Sequence, residues 1–248
     1  MKQLFKKLYY SLPFSIRFFI KKNFIKRIDE VEIIFELLKN KKGLMIDVGA
    51  HYGTSLKSFM DNEWEIHAFE PDPKNRIQLL KIIEGKTNVH VSQEAVTEKS
   101  GLELAFYSSE VSTGISGLSS FHPSHKEVTK VKTITLKDYI NNTKIKAIDF
   151  LKIDTEGFDF FVLKGFDWEK HPHPDYIICE FEDKKTNKLG YLAKDLYDFL
   201  VSNNYYVQIS EWVPIAEYGQ NHKWKQFTKK IDELNDNSWG NFIATKLK

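Results

Sequence analysis

Four short apolar runs, each tied to an acidic side chain at or near its end, constrain this chain more than any other feature: residues 44–48 around Asp47, 66–69 before Glu70, 150–153 before Asp154 and 176–179 before Glu180. Runs of that length between turn residues have the dimensions of buried strands. Between and after them lie stretches of helical period at 54–60, 74–83, 160–164 and 192–200, the last with Leu192, Leu196, Phe199 and Leu200 on one face. Strands alternating with helices build a mostly parallel sheet with helices on both faces, and such sheets bind ligands outside the carboxyl ends of their strands. The acids therefore stand where a ligand is met.

The remaining pattern fits the same α/β architecture. Val31, Ile34, Phe35 and Leu38 predict a helix over 31–38, residues 89–91 a third strand, 131–136 a half-exposed strand and 136–140 a short helix. The Ser- and Gly-rich stretch 101–124 reads as irregular, or as a hairpin with a mobile tip. Two late strands, 205–213 and 241–246, are separated by an aromatic and basic insertion, 214–239. The organisation expected is a basic amphipathic helical segment over 1–40, followed by one domain over 41–248.

Residues 1–28 carry eight basic side chains and no acid, interleaved with apolar ones such as Phe14, Phe18, Phe19 and Ile20. The apolar stretches are interrupted by Pro13 and Arg17, which argues against a secretory signal and against a membrane span. Three roles are open to such a segment: peripheral contact with an anionic membrane, a cover over the active site, or packing against a second subunit of a homo-oligomer. The net charge of +2 gives no broad basic face for nucleic acid. Cys179 is the one cysteine, which rules out an intramolecular disulfide and fits a cytoplasmic location.

The turn Asp47-Val-Gly49-Ala-His51-Tyr-Gly53 follows a strand and opens a helix, so a bare backbone and free N–H groups face any ligand there. It lacks the G-x-G-x-x-G of a dinucleotide fold and the Gly-Lys-Ser/Thr of a phosphate loop, and alone reads equally as a structural turn. Glu70 breaks the tie, because an acid at the end of the next strand, roughly twenty residues on, can accept both ribose hydroxyls of an adenosine. Gln93, Glu94 and Ala95 follow the third strand, within reach of an adenine edge.

The blocks DVGAHYG, AFEPDP, EAVTEKSG and LKIDTEGFDFFVLKG, in this order, resemble the FkbM family of methyltransferases. The resemblance implies a Rossmann-like class I methyltransferase fold: a seven-stranded sheet with an antiparallel last strand and helices on both faces. It implies S-adenosylmethionine as cofactor, with Asp47, Gly49 and Gly53, and with them Ala50, His51 and Thr54, at the methionine end. Glu70 would hold the ribose, beside a wall shaped by Pro71 and Asp72. His51 and Gln93 stand where the family often has Asn, and both keep a hydrogen-bonding side chain.

Methyl transfer to a hydroxyl requires the acceptor oxygen to be aligned and its proton removed. Asp154, beside the cofactor at the end of the fourth strand, is the first candidate for that work, with Glu180 behind it and His122 and His125 as alternative bases from the Ser/Gly-rich stretch. His171 and His173 are set aside as lying on the opposite edge of the sheet. Glu156 reads equally as a structural partner in its Glu-Gly turn. Asp154, Glu180 and Glu182 could together bind a divalent ion, but acids at strand ends more often meet solvent or cofactor, so no metal is expected. Trp212, Tyr218, His222, Trp224 and Trp239 suit a satellite core as well as stacking on a sugar. The expected activity is O-methylation of a carbohydrate, either a nucleotide-linked sugar or a surface glycan. The alternatives are a polyketide or lipid-like alcohol, or a non-catalytic nucleoside-binding scaffold, against which the intact Asp47, Glu70 and Asp154 argue.

Overall fold

The computed structural model describes Tyr9 and residues 12–248; the other residues of the basic N-terminal segment lie outside the described ones. A sheet of eight strands runs in the order β3 (Val89–Ser92), β2 (Glu65–Phe69), β1 (Leu44–Val48), β7 (Phe150–Ile153), β8 (Tyr176–Glu182), β11 (Trp239–Lys246), β9 (Tyr205–Trp212) and β10 (Trp224–Thr228). The first five are mutually parallel, and β11 is inserted antiparallel between β8 and β9. A second small sheet holds β4 (Ala95–Val96), β6 (His125–Ile134) and β5 (Glu103–Ser109), the last two forming a hairpin. The 101–124 stretch is thus largely the outgoing arm and tip of that hairpin.

Seven strands were expected in the main sheet and eight are present. The extra one, β10, lies in the 214–239 stretch and pairs antiparallel with β9. Its register shifts between Trp224 and Gln226, so Trp224 and Phe227 fall three apart instead of two. A bulge of this kind erases the alternation by which a strand is read from sequence.

Alternate residues of the central strands feed two cores. Ile46, Val48, Leu151, Ile153 and Cys179 pack with α5 (Leu136–Thr143), α6 (Asp159–Lys164) and α8 (Ala193–Ser202). Met45, Phe150, Ile66 and Ile178 pack on the other side with α2 (Glu30–Leu38), α3 (Lys57–Asp61) and α4 (Pro73–Ile82). Each of α2, α4 and α5 starts at a side-chain cap: Asp29 accepts from Glu32 N, Asp72 from Lys74 N, and Thr135 from Asp138 N.

The described part of the N-terminal segment folds as α1 (Phe14–Ile20) and a π-helical turn, Lys21–Ile25, stopped by Lys26 at φ 53°. It packs on the β9–β10 end of the sheet. Trp224 N donates to Lys26 O at 2.6 Å, Ile28 joins Trp212 and Trp224, and the buried Glu30 carboxylate accepts from Ser210 Oγ and Trp212 Nε1 at 2.7 and 2.8 Å. No helix among the described residues is long and apolar enough to cross a membrane.

Candidate functional site

A cavity of about 200 Å³ opens at the carboxyl ends of β1, β2 and β7. Its floor is the turn after β1. Gly49 has φ 85°, and a Cβ there would sit 1.9 Å from Asp154 O, so only glycine lets the β1 and β7 ends close together. His51 carries φ 50° without being glycine, and Glu156, across the cavity, carries φ 55°. Such left-handed backbone at non-glycine positions is uncommon and gathers at ligand sites.

Glu70 forms one wall. Its two carboxylate oxygens accept from His51 N at 2.6 Å and from Asp72 N at 2.8 Å, which ties the ends of β1 and β2 together. Burial raises its pKa to about 7, against the lowering effect of those two N–H donors. A carboxylate offers about four acceptor sites, so two remain for a ligand. The roof is the tip of the β5–β6 hairpin: Thr113, Gly114, Ser116, Gly117 and Leu118 line the cavity. Thr113 Oγ1 lies 3.0 Å from His51 Nε2 and 3.0 Å from Tyr52 Oη, and Tyr107 and Gly117 exchange backbone hydrogen bonds of 2.9 Å.

Two buried polar atoms on this lining, Asn75 Oδ1 and Ser116 Oγ, have no hydrogen-bond partner within the protein. Orphaned acceptors of this kind cost free energy unless a ligand satisfies them.

Two lysine-centred charge clusters stand at the inner end. Lys152, in β7, donates to Asp47 Oδ1 at 3.1 Å and to Gly49 O at 3.3 Å and lies 3.5 Å from Asp154 Oδ2; Ser55 Oγ also donates to Asp47. Burial alone would lower the Lys152 pKa, but Asp47 and Asp154 hold it above the usual lysine value. Asp47 is fully buried, while the Asp154 side chain is 46% exposed and faces the cavity. Lys185, in α7 (Asp183–Thr186), meets Glu156 Oε2 at 2.6 Å, Glu182 Oε2 at 2.9 Å and Glu180 Oε2 at 3.0 Å. Tyr218 Oη donates to Glu182 at 2.8 Å, and the rings of Phe121 and Tyr218 lie 5.3 and 5.7 Å from the ammonium. Burial raises Glu156 to about 7, with Lys185 opposing.

Of the residues singled out from sequence, Gly49, Ala50, His51, Thr54, Glu70, Pro71, Glu94, Ala95 and Asp154 line this one cavity. Asp47 and Gly53 support it from behind, Gly53 passing so close to Leu79 that a Cβ would meet it at 2.5 Å. Gln93 lines a neighbouring depression with Pro73 and Arg76. The cavity lining does not include His122, His125 or Glu180. His125 Nε2 is 2.9 Å from Ile115 O and His122 Nδ1 is 2.7 Å from Ser124 Oγ, so both rings are engaged locally, and Glu180 is held in the Lys185 cluster. Glu156, read from sequence as equally a candidate beside Asp154 or a structural partner in its turn, reaches the cavity, as do Lys152, Ser55, Asn75, Thr155 and Phe158.

The strand order, with one antiparallel strand inserted beside a parallel sheet and a cavity over its carboxyl ends, is that of the class I methyltransferase fold. The sequence model of the methyltransferase FkbM domain matches residues 47–207, more than half of the chain, and the chain belongs to that family. No curated protein matches it in sequence. Among solved structures it is similar to precorrin-6y C5,15-methyltransferase of Geobacter metallireducens (12% identity, 87% of each chain covered, TM-score 0.45). It is also similar to an rRNA methylase of Streptococcus thermophilus (7%, 89% of this chain and 98% of that one, TM-score 0.46), and to TehB of Haemophilus influenzae (10%, 92% and 66%, TM-score 0.47).

The cofactor of the family is S-adenosylmethionine. The cavity suits it: an acid at the end of β2 with free acceptor sites for ribose hydroxyls, orphaned acceptors at Asn75 and Ser116, and a glycine turn open to close approach.

Proposed function

We propose that this protein methylates a hydroxyl of a carbohydrate, either a nucleotide-linked sugar or a surface glycan. One observation carries the reading: the cavity ends at two acids, Asp154 and Glu156, with the ring of Phe158 lining the same end. Carboxylates that accept O–H groups beside aromatic faces that cover C–H surfaces are the pairing a polyhydroxylated ring requires.

In this reading Glu70 holds the ribose, the 49–51 backbone and Thr54 the methionine end, and Asn75, Glu94 and Ala95 the adenine side. Bound S-adenosylmethionine supplies a methyl group on a positively charged sulfur. Asp154 orients the acceptor hydroxyl and takes its proton as the new O–C bond forms. Lys152, at 3.5 Å, places a positive charge beside that carboxylate. Glu156, at about 7, is a second site where the proton can rest.

The test is incubation with isotope-labelled cofactor and a panel of nucleotide sugars and long-chain alcohols, with the product identified by mass and NMR. An O-methylated sugar is expected. Label in an alcohol alone would move the protein to lipid-like acceptors, and tight cofactor binding with no transfer to any acceptor would make it a scaffold.

A further inference from the structure

Away from the cavity, the face of β2 turned toward α5 carries Glu65, His67 and Phe69 at alternate positions, and His90 of β3 stands directly beside His67 in the parallel register. Residues two apart on a strand share a face, as do registered neighbours on the next strand. The two imidazole centroids are 4.9 Å apart, and His67 Nε2 lies 3.2 Å from Glu65 Oε1. One ligand atom from each of Glu65, His67 and His90 falls within 4.8 Å of the other two.

Ligands on a tetrahedral zinc ion, each about 2.0–2.1 Å from it, sit roughly 3.4 Å from one another. The 3.2 Å pair already has that spacing. Glu65 and His90 are exposed and free to turn the remaining distance, whereas His67 is 4% exposed and fixed. What fixes it is Tyr139 of α5, whose hydroxyl lies 2.8 Å from His67 Nδ1. Metal-bound histidines use such a partner on their second nitrogen to set tautomer and ring orientation.

We propose that Glu65, His67 and His90 form a zinc site, with water in the fourth position and Tyr139 as the outer partner of His67. Two imidazoles and one carboxylate favour zinc-class ions over magnesium or calcium, which take oxygen shells. The ion clips β3, the last strand on its side of the sheet, to β2. These two strands lead on to Glu70 and Glu94, so the clip braces one wall of the cavity from behind. The other acid-rich group among the described residues, Asp154, Glu156 and Glu180, offers only oxygen and already surrounds the Lys185 ammonium through two of its three members.

The experiment is calorimetric titration of the full, tag-free chain with zinc chloride, repeated with cobalt(II) read by visible absorption, which is intense for tetrahedral sites. One ion per chain with micromolar or tighter affinity is expected, together with a zinc-induced rise in Tm. His90→Ala, at an exposed position, should leave the metal-free Tm unchanged and weaken zinc binding at least about tenfold; Tyr139→Phe should weaken it by about 10-fold. The proposal is overturned if zinc binding does not saturate below about a millimolar, or if His90→Ala binds zinc as the parent does, which would place the ion elsewhere on the chain.

Discussion

Lys152 and Lys185 are both buried among carboxylates at neighbouring strand ends, yet the two clusters are built to opposite charge balances. Lys152 faces one fully buried acid, Asp47, and one acid open to solvent, Asp154, so its buried charges cancel. Lys185 faces Glu156, Glu180 and Glu182, each with a side chain no more than 12% exposed, so negative charge is in excess inside the protein. Carboxylates that share a buried site cannot all ionise, and their pKa values are driven upward and apart. The first cluster therefore locks backbone, joining β1 to β7 under the glycine turn. In the second, burial raises Glu156 to about 7 and pushes Glu180 well above the usual glutamate value. Rigidity is the expected role of the first cluster and proton uptake that of the second.

The contrast can be broken by removing either ammonium. Lys152→Met should cost about 3–5 kcal/mol in urea unfolding at pH 7, because Asp47 is left buried without a counter-charge. A cost below about 1 kcal/mol would mean that the first cluster is not a lock. Next in size, Asp154→Asn should lower turnover by about 100-fold or more while leaving cofactor affinity within about threefold, since the carboxylate is needed for proton removal. Comparable losses in both would recast Asp154 as a binding residue.

Lys185→Met should cost less, about 1–3 kcal/mol near pH 6, because Glu156 and Glu180, both already raised by burial, can take up protons instead. Carboxyls whose folded pKa is raised contribute stability that is complete below their unfolded value, near 4.5, and lost as pH rises through the folded value. The cost of Lys185→Met should therefore grow between pH 6 and 8; a flat profile equal to that of Lys152→Met would erase the distinction between the clusters.

The smallest effect concerns Glu70, whose pKa of about 7 lies far above the unfolded value. By the same sign rule, the cofactor-free protein should lose stability relative to Glu70→Gln as pH rises from 5 to 8. Cofactor affinity should move the other way, falling by up to about tenfold per unit below pH 7 as the acceptor carboxylate is protonated. Affinity independent of pH between 5.5 and 7.5 would remove Glu70 from the ribose.

The sheet and much of the cavity wall were legible because they are written locally. Apolar runs, the glycines at 49 and 53 and the acid at 70 each follow from a short stretch of chain. The lysine clusters were not. Lys152 hides inside an apolar strand run, and Lys185 sits in the polar stretch EDKKT, which looks like a solvated turn until β8 brings Glu180 and Glu182 under it. His122 and His125 attracted notice for their chemistry, but their neighbours Ser124 and Ile115 satisfy them first. Asn75 and Ser116 carry no pattern at all; only their lack of partners in three dimensions marks them.

The eighth strand also governs how the protein can meet copies of itself. Without β10, the eight-residue strand β9 would present an unpaired flank along which another chain could hydrogen-bond. β10 covers part of that flank and is itself five residues long, interrupted by a bulge and carrying Lys225. At the opposite rim, β3 has four residues. Short, irregular, charged rims resist edge-to-edge growth of sheets. Any self-association of the folded protein should thus run through side-chain surfaces and leave the sheet closed at eight strands, and fibrillar growth would have to begin from chains in which β10 has peeled away.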